Sequence, residues 1–174
     1  MRKYRKAKPE DDLEIAEISV QSWKFAYKGI MPDETLKSLD SQKRARERRD
    51  FLKENSLSTY ICLESGKPVG FVDFEICRDK DCDKNVGEIW AIYISPEYIG
   101  KRIGKELFSI STNKLAQKGC SEIAVWVLSE NKLAKEFYER QNLTADGKER
   151  EYLGLREIRY RKNIAPTQSS LHIS

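Results

Sequence analysis

A mixed α/β sheet with helices on both faces is the fold class this sequence predicts, and three observations point to it. β-rich segments follow one another directly in the middle of the chain, later ones are separated by helical crossovers, and 174 residues suffice for one domain burying roughly 70% of its unfolded surface. The predicted order is β-α-α-β-β-β-α-β-α-β. Residues 2–7 alternate charged with less polar side chains. Pro9 followed by Glu10, Asp11 and Asp12 starts a helix, because proline fits the first helical turn and carboxylates favour the positive end of the dipole. Leu13, Ala16, Val20, Trp23 and Tyr27 then recur at helical spacing until Gly29 and Pro32 interrupt them. A second helix is expected over 40–54.

Residues 59–63 and 69–76 are β-rich and joined by Glu64-Ser65-Gly66-Lys67-Pro68, whose glycine and proline supply turn chemistry for a hairpin. After a polar stretch, residues 86–95 read V-G-E-I-W-A-I-Y-I-S, a β-branched and aromatic strand suited to the middle of a sheet. Glu88 is its odd member. Ile103, Leu107 and Ile110 mark the next helix, residues 122–128 another buried strand, and Leu133, Ala134 and Phe137 a short helix opening at Asn131. A last strand is expected over 155–162, and no internal repeat is visible.

Composition removes several function classes. With 39% hydrophobic and 34% charged residues, the chain is neither collagen, coiled coil nor wholly disordered, and it has no apolar run near the ~20 residues a membrane span needs. A net charge of +4 does not point to nucleic acid as a main partner. Lys43, Arg44, Arg46, Arg48 and Arg49 are interleaved with Glu47 and Asp50, which predicts a solvated helix face, not a phosphate grip. The basic start, Met1 to Lys6, leads into acids and not into an apolar signal region, so a cytoplasmic location is expected. Four cysteines are too few and scattered for a disulfide framework. Cys77 and Cys82, spaced C-x4-C with no histidine nearby, are expected to be solvated hairpin-tip thiols with no metal. The one histidine, His172, lies in a polar stretch, 165–174, expected to be a flexible tail that cannot anchor a catalytic pair.

The informative junction is I-S-P-E-Y-I-G-K-R-I-G-K-E-L at 94–107, where a buried strand ends, a glycine-containing loop follows and a helix begins. Unpaired amides at a helix start, added to the dipole, bind anions, and Gly100 and Gly104 let a ligand approach the backbone. Lys101, Arg102 and Lys105 add positive charge. Neither the P-loop pattern nor G-x-G-x-x-G is present, and an ordinary loop is the competing reading.

The same residues resemble a family. Y-I-G-K-R-I-G-K-E-L at 98–107 looks like the acetyl-CoA signature of the GCN5-related N-acetyltransferases (GNAT), [QR]-x-x-G-x-[GA]. Gly104 fills its last position, whereas Ile99 stands for Gln or Arg and Arg102 for the middle Gly. The resemblance extends to W-x3-Y-K-G-I-M-P-D-E-x-L at 23–36, to G-F-V-D-F at 70–74, and to Asn131-x-x-Ala134-x-x-Phe137-Tyr138-Glu139, and covers residues 1–164. The family's glycine and phenylalanine after the last helix appear as Asn142 and Leu143; asparagine also tolerates the left-handed conformation.

The resemblance implies a largely antiparallel sheet splayed at the cofactor site, with acetyl-CoA as co-substrate, no metal, and direct acetyl transfer to a primary amine of a small molecule or protein. Ile99, Gly100, Lys101, Arg102, Ile103, Gly104 and Lys105 would cradle the pyrophosphate. The backbone of Ile92, Tyr93 and Ile94 would hold the pantetheine arm. Asn131 matches a cofactor-contacting position, although helix capping alone explains an asparagine there. Tyr138 resembles the general acid and borders the cofactor, and a core-edge tyrosine is the alternative. Glu88 would be the base or a carboxylate attracting a cationic substrate, and Tyr27 and Met31 would line the acceptor pocket, with Trp23 in the core. A homodimer is compatible with the resemblance, and neither nucleic acid nor membrane is expected. The alternative reading is an acyl-CoA-binding regulatory protein with weak turnover, motivated by Ile99 and Arg102.

Overall fold

The computed structural model describes residues 1–55 and 57–164; the expected tail at 165–174, with His172, lies outside the described residues. Strand β1 (Arg2–Lys6) leads through a short turn into helix α1 (Asp12–Ala26), followed by α2 (Asp33–Lys37) and α3 (Ser41–Glu54). Strands β2 (Ser58–Glu64), β3 (Lys67–Ile76) and β4 (Val86–Ile94) come next, then helix α4 (Ile103–Gln117), strand β5 (Glu122–Leu128) and helix α5 (Lys132–Arg140). Strands β6 (Thr144–Tyr152) and β7 (Leu155–Asn163) close the chain. Sequence periodicity locates all of these except the five-residue α2 and strand β6. Every residue of β6 is exposed, so it carries no buried face from which a period of two could be read.

The seven strands are ordered β1-β2-β3-β4-β5-β7-β6. Every neighbouring pair is antiparallel except β4 and β5, which are parallel and are joined through α4, as a parallel pair requires. Helices cover both faces, as expected. On one face Leu107, Phe108 and Leu115 of α4 and Tyr138 of α5 pack on Val72, Phe74, Ile89 and Ile123. On the other, Ile15, Ile18 and Leu52 pack on Ile61 and Phe71. Each such side chain contributes about 1.5–3 kcal/mol when fully buried. At Gly87 a Cβ would lie 2.6 Å from Leu115 Cδ1, so the missing side chain is what lets α4 settle onto β4.

Helix α3 differs from the solvated face expected of it. Arg48 pairs with buried Asp73 at 2.8 Å and Arg49 with Asp12 at 2.7 Å, while Arg44 donates to Ser19 and lies 4.5 Å above the Trp23 ring. Three of its cations therefore clamp the helix to α1 and the sheet. After α5, Asn142 has φ 63° and Leu143 is fully buried, so asparagine does take the left-handed position and leucine fills the core slot.

Candidate active site

Strands β4 and β5 run side by side only from Val86 paired with Glu122 to Ile89 paired with Val125. Beyond that point they part. The register of β3 against β4 shifts between Asp73 and Phe74, placing Trp90 in a bulge, which bends a strand and strengthens its twist. Residues 91–94 stay paired with β3, whereas residues 126–128 stay paired with β7. The facing edges of the two strands are thus open, and a cleft of about 1000 Å³ runs between them, with Ile92, Tyr93 and Ile94 in its wall. Unpaired strand amides and carbonyls at such an edge need partners, and a peptide-like arm supplies them. Ile94 is partly served already, since its carbonyl accepts the Ser22 hydroxyl at 3.0 Å.

At one end of the cleft, Ile99, Gly100, Arg102, Ile103, Gly104 and Lys105 form the wall. The first helical bond of α4 runs from Glu106 N–H to the Arg102 carbonyl at 3.2 Å. The amides of Ile103, Gly104 and Lys105 precede it and have no carbonyl one turn back, which is the anion-binding geometry expected there. A Cβ on Gly104 would sit 3.1 Å from Ile94 Cδ1 and 3.3 Å from Phe137 Cε2, so only the smallest residues fit. Lys101 is not in the wall: its ammonium lies 4.5 Å above the Tyr98 ring and its carbonyl accepts Arg2.

Arg102 caps α4 at φ 66°, the left-handed region where the family signature has glycine. A non-glycine residue there is strained by about 1–2 kcal/mol, partly offset because glycine gains more freedom on unfolding. Arg102→Gly is therefore expected to raise stability by about 0.5–1 kcal/mol, measurable as an upward shift of the thermal midpoint. An unchanged or lowered midpoint would contradict strain at this position.

Tyr138 and Asn131 both line the cleft. Asn131 also caps α5, its side-chain oxygen accepting the Ala134 amide at 3.1 Å, so capping and cleft placement coincide. Tyr138 is packed by the Phe108 and Phe137 rings. Burial pushes its phenol well above the ordinary value. On the acceptor side, Tyr27 stands at the C-terminus of α1, 5.1 Å from the Trp23 ring, and burial raises its phenol to about 12. Buried Trp23 donates to the Tyr93 hydroxyl at 2.7 Å.

Two more expected site residues lie outside the wall, as Lys101 does. Met31 is buried with Trp23, Leu36 and Leu128 and lies behind the wall, because the turn after α1 folds it inward through its amide bond to the Tyr27 carbonyl at 2.9 Å. Glu88 is 2% exposed and also lies behind the wall. Its carboxylate takes the Arg78 guanidinium at 2.8 and 3.1 Å, and Arg78, not Glu88, faces the cleft, stacked 3.4 Å over Trp90. The Trp90 indole N–H is buried with no partner among the described residues.

Several cleft residues escaped the sequence reading. Arg150, Glu151 and Tyr152 arrive on β6, Glu157 on β7, and Asp79 on the loop before β4. Tyr152 meets Trp23 with ring centroids 6.4 Å apart, so the β6–β7 hairpin closes the acceptor end against α1. The turn residues Leu153 and Gly154, with φ 52° and 76°, were the signal available for that hairpin.

The family model "Acetyltransferase (GNAT) family" matches residues 20–143. The chain belongs to the GNAT family. The uncharacterized N-acetyltransferase YuaI of Bacillus subtilis is 33% identical over 129 residues, covering 73% of this chain and 72% of the relative. The spermidine N(1)-acetyltransferase of Thermoplasma acidophilum is 27% identical over 139 residues, covering 77% and 83%. Among solved structures, the PaiA N-acetyltransferase of Thermoplasma acidophilum in complex with coenzyme A superposes with a TM-score of 0.79 over 94% of this chain and 99% of that one, at 22% identity. The protein is thus an acetyl-CoA-dependent N-acetyltransferase that transfers acetyl to an amine, and a purely regulatory acyl-CoA binder is not favoured. Among the described residues no helix is long and apolar enough to cross a membrane.

Proposed function

We propose that the acceptor is a small cationic alkylamine of the polyamine kind, acetylated directly in a ternary complex. The lining of the acceptor end carries this reading. Tyr27 and Tyr152 supply aromatic faces, to which ammonium groups are attracted, beside Trp23 and Trp126, whose rings already carry Arg44 at 4.5 Å and Arg150 at 4.3 Å. Of the guanidiniums in the wall, Arg78 is already matched by Glu88 at 2.8 Å and Arg150 by Glu157 at 2.5 Å. Glu157, buried in the same wall, brings in a carboxylate that Arg150 and a second cation would share. The similarity to a spermidine acetyltransferase supports the same class.

In the mechanism we favour, the amides opening α4 and the charges of Arg102 and Lys105 hold the coenzyme diphosphate, and the open edge at residues 92–94 aligns the pantetheine arm. Acetyl-CoA supplies the activated acyl group. A main-chain N–H of the open strand edge polarises the thioester carbonyl, a donor worth ~3 kcal/mol in the transition state. Tyr138, protonated at neutral pH as any phenol is, gives its proton to the departing sulfur. An alkylamine with a pKa of about 10 must lose a proton before it attacks, and cleft water takes it.

Glu88 acts on this reaction through Arg78. Glu88→Gln is expected to raise the acceptor KM about tenfold by freeing Arg78, leaving the pH–rate profile in place. Displacement of the acidic limb by more than about half a pH unit would instead make Glu88 the base.

The acceptor reading is tested by steady-state thiol release with a panel of amines. Spermidine should exceed a monoamine of similar length in kcat/KM by about tenfold or more, and Glu157→Gln, which also leaves Arg150 unmatched, should erase most of that preference. Equal use of mono- and polyamines, or an isolable acetyl-enzyme, would contradict it.

A further inference from the structure

The loop between β3 and β4 was expected to carry solvated thiols, yet Cys77 and Cys82 are half-buried and unoxidised. Their sulfurs and a carboxylate oxygen of Asp79 lie within 4.8 Å of one another. We propose that Cys77, Asp79 and Cys82 form a binding site for one thiophilic divalent cation of the zinc class, separate from the acetyl-transfer chemistry.

Three features of the loop support this. First, the donors are held in place by main-chain bonds: Cys77 N–H to the Val86 carbonyl at 2.8 Å, Cys82 N–H to Asp79 at 3.0 Å, and Val86 N–H to Asp83 at 3.1 Å. Little chain ordering is left to be done on binding. Second, the surroundings favour a cation. Arg159, 2% exposed, reaches the loop from β7 and faces three carboxylates, Asp79 at 2.9 Å, Asp81 at 2.8 Å and Asp146 at 2.7 Å. Lys148 lies 3.8 Å from Asp81, so three carboxylates face two cations around Arg159. Third, Arg159 also works as an outer support for the donors, donating to Cys82 Sγ at 3.6 Å and to Asp79 Oδ2. Trp126 donates to the same oxygen at 3.0 Å, leaving Asp79 Oδ1 without a hydrogen bond among the described residues. Outer partners of this kind orient metal ligands.

Two sulfurs and one carboxylate select a soft or borderline ion over magnesium or calcium, and three protein donors leave one position of a tetrahedron to water. Coordination by both sulfurs releases their two protons to solvent. Since Arg78 and Asp79 stand in the acceptor wall, the ion would fix the part of the loop that the amine meets.

The test is titration of the full, reduced, metal-stripped chain with Cd2+, read by thiolate-to-metal absorbance and proton release, followed by competition with Zn2+. The expected result is one ion per chain, about two protons released per ion, and a Kd of about 1 μM or tighter. Cys82→Ser alone and Cys77→Ser with Cys82→Ser should each weaken binding about 100-fold or more, while buried Cys62 and Cys120 remain as internal controls. No uptake below about 100 μM would overturn the proposal. So would equal uptake by the double variant, or a Cys77–Cys82 disulfide as the loop's only chemistry. None of these readouts depends on acetyl transfer, so failure here and failure of the acceptor reading are told apart.

Discussion

Tyr138→Phe is expected to lower kcat about 100-fold or more while changing the Kd for coenzyme A less than about threefold. The substitution removes only an oxygen. Phe108 and Phe137 pack on the ring, and phenylalanine keeps those contacts, so neither the α5 surface nor the cleft shape changes. What is lost is the phenol proton, which is in place at neutral pH. Without it the thiolate must depart unprotonated or wait for solvent, and a positioned acid is worth about 10²–10⁴ in rate. Kinetics with a less basic thiol leaving group should restore part of the loss, because such a thiol depends less on the acid. An unchanged kcat would reduce Tyr138 to a packing residue.

Gly104→Val is expected to weaken coenzyme A binding about 10- to 100-fold with the fold retained. The first carbon of any side chain here already lies 3.1 Å from Ile94 Cδ1 and 3.3 Å from Phe137 Cε2. These are movable side-chain ends, so alanine is accommodated by a few tenths of an ångström. Valine adds two methyl groups at the point where β4, α4 and α5 converge on the cleft. They must displace Ile94, which borders the open edge, or tilt the first turn of α4, whose amides need a fixed aim. Gly104→Ala is the control and should stay within about threefold of the parent. Matching Kd values for the valine and parent chains, by calorimetry, would move the diphosphate away from this turn.

The parts legible in the sequence are those whose signal is local. The apolar run of β4, the helical spacing of Leu107 and Phe137, and the glycine-bearing junction each depend on neighbours in the chain, and each is found where expected. The splay between β4 and β5 came from the family resemblance; its visible cause, the Trp90 bulge, depends on pairing with β3. Strand β6 was missed because its nine residues are exposed and mostly polar and, among the described residues, it pairs with β7 alone. With it went Arg150, Glu151 and Tyr152. For Glu88 the resemblance offers a base or a carboxylate that attracts the substrate, but position along a strand does not reveal what folds over it. Arg78, on a loop returning from β3, covers that carboxylate and takes its place at the cleft. Arg102 shows the opposite case, a departure from the signature that the backbone nevertheless accommodates in the left-handed region.

The central claim is one of place: the coenzyme lies along the open edge of β4 and ends on the first turn of α4. Amide hydrogen exchange with and without coenzyme A tests it most directly. The amides of residues 92–94 and 103–105 should slow markedly on binding, while those of β1 and β6, on the far edges of the sheet, keep their rates. Tight binding with no slowing at either segment, and protection confined to another surface, would contradict the account.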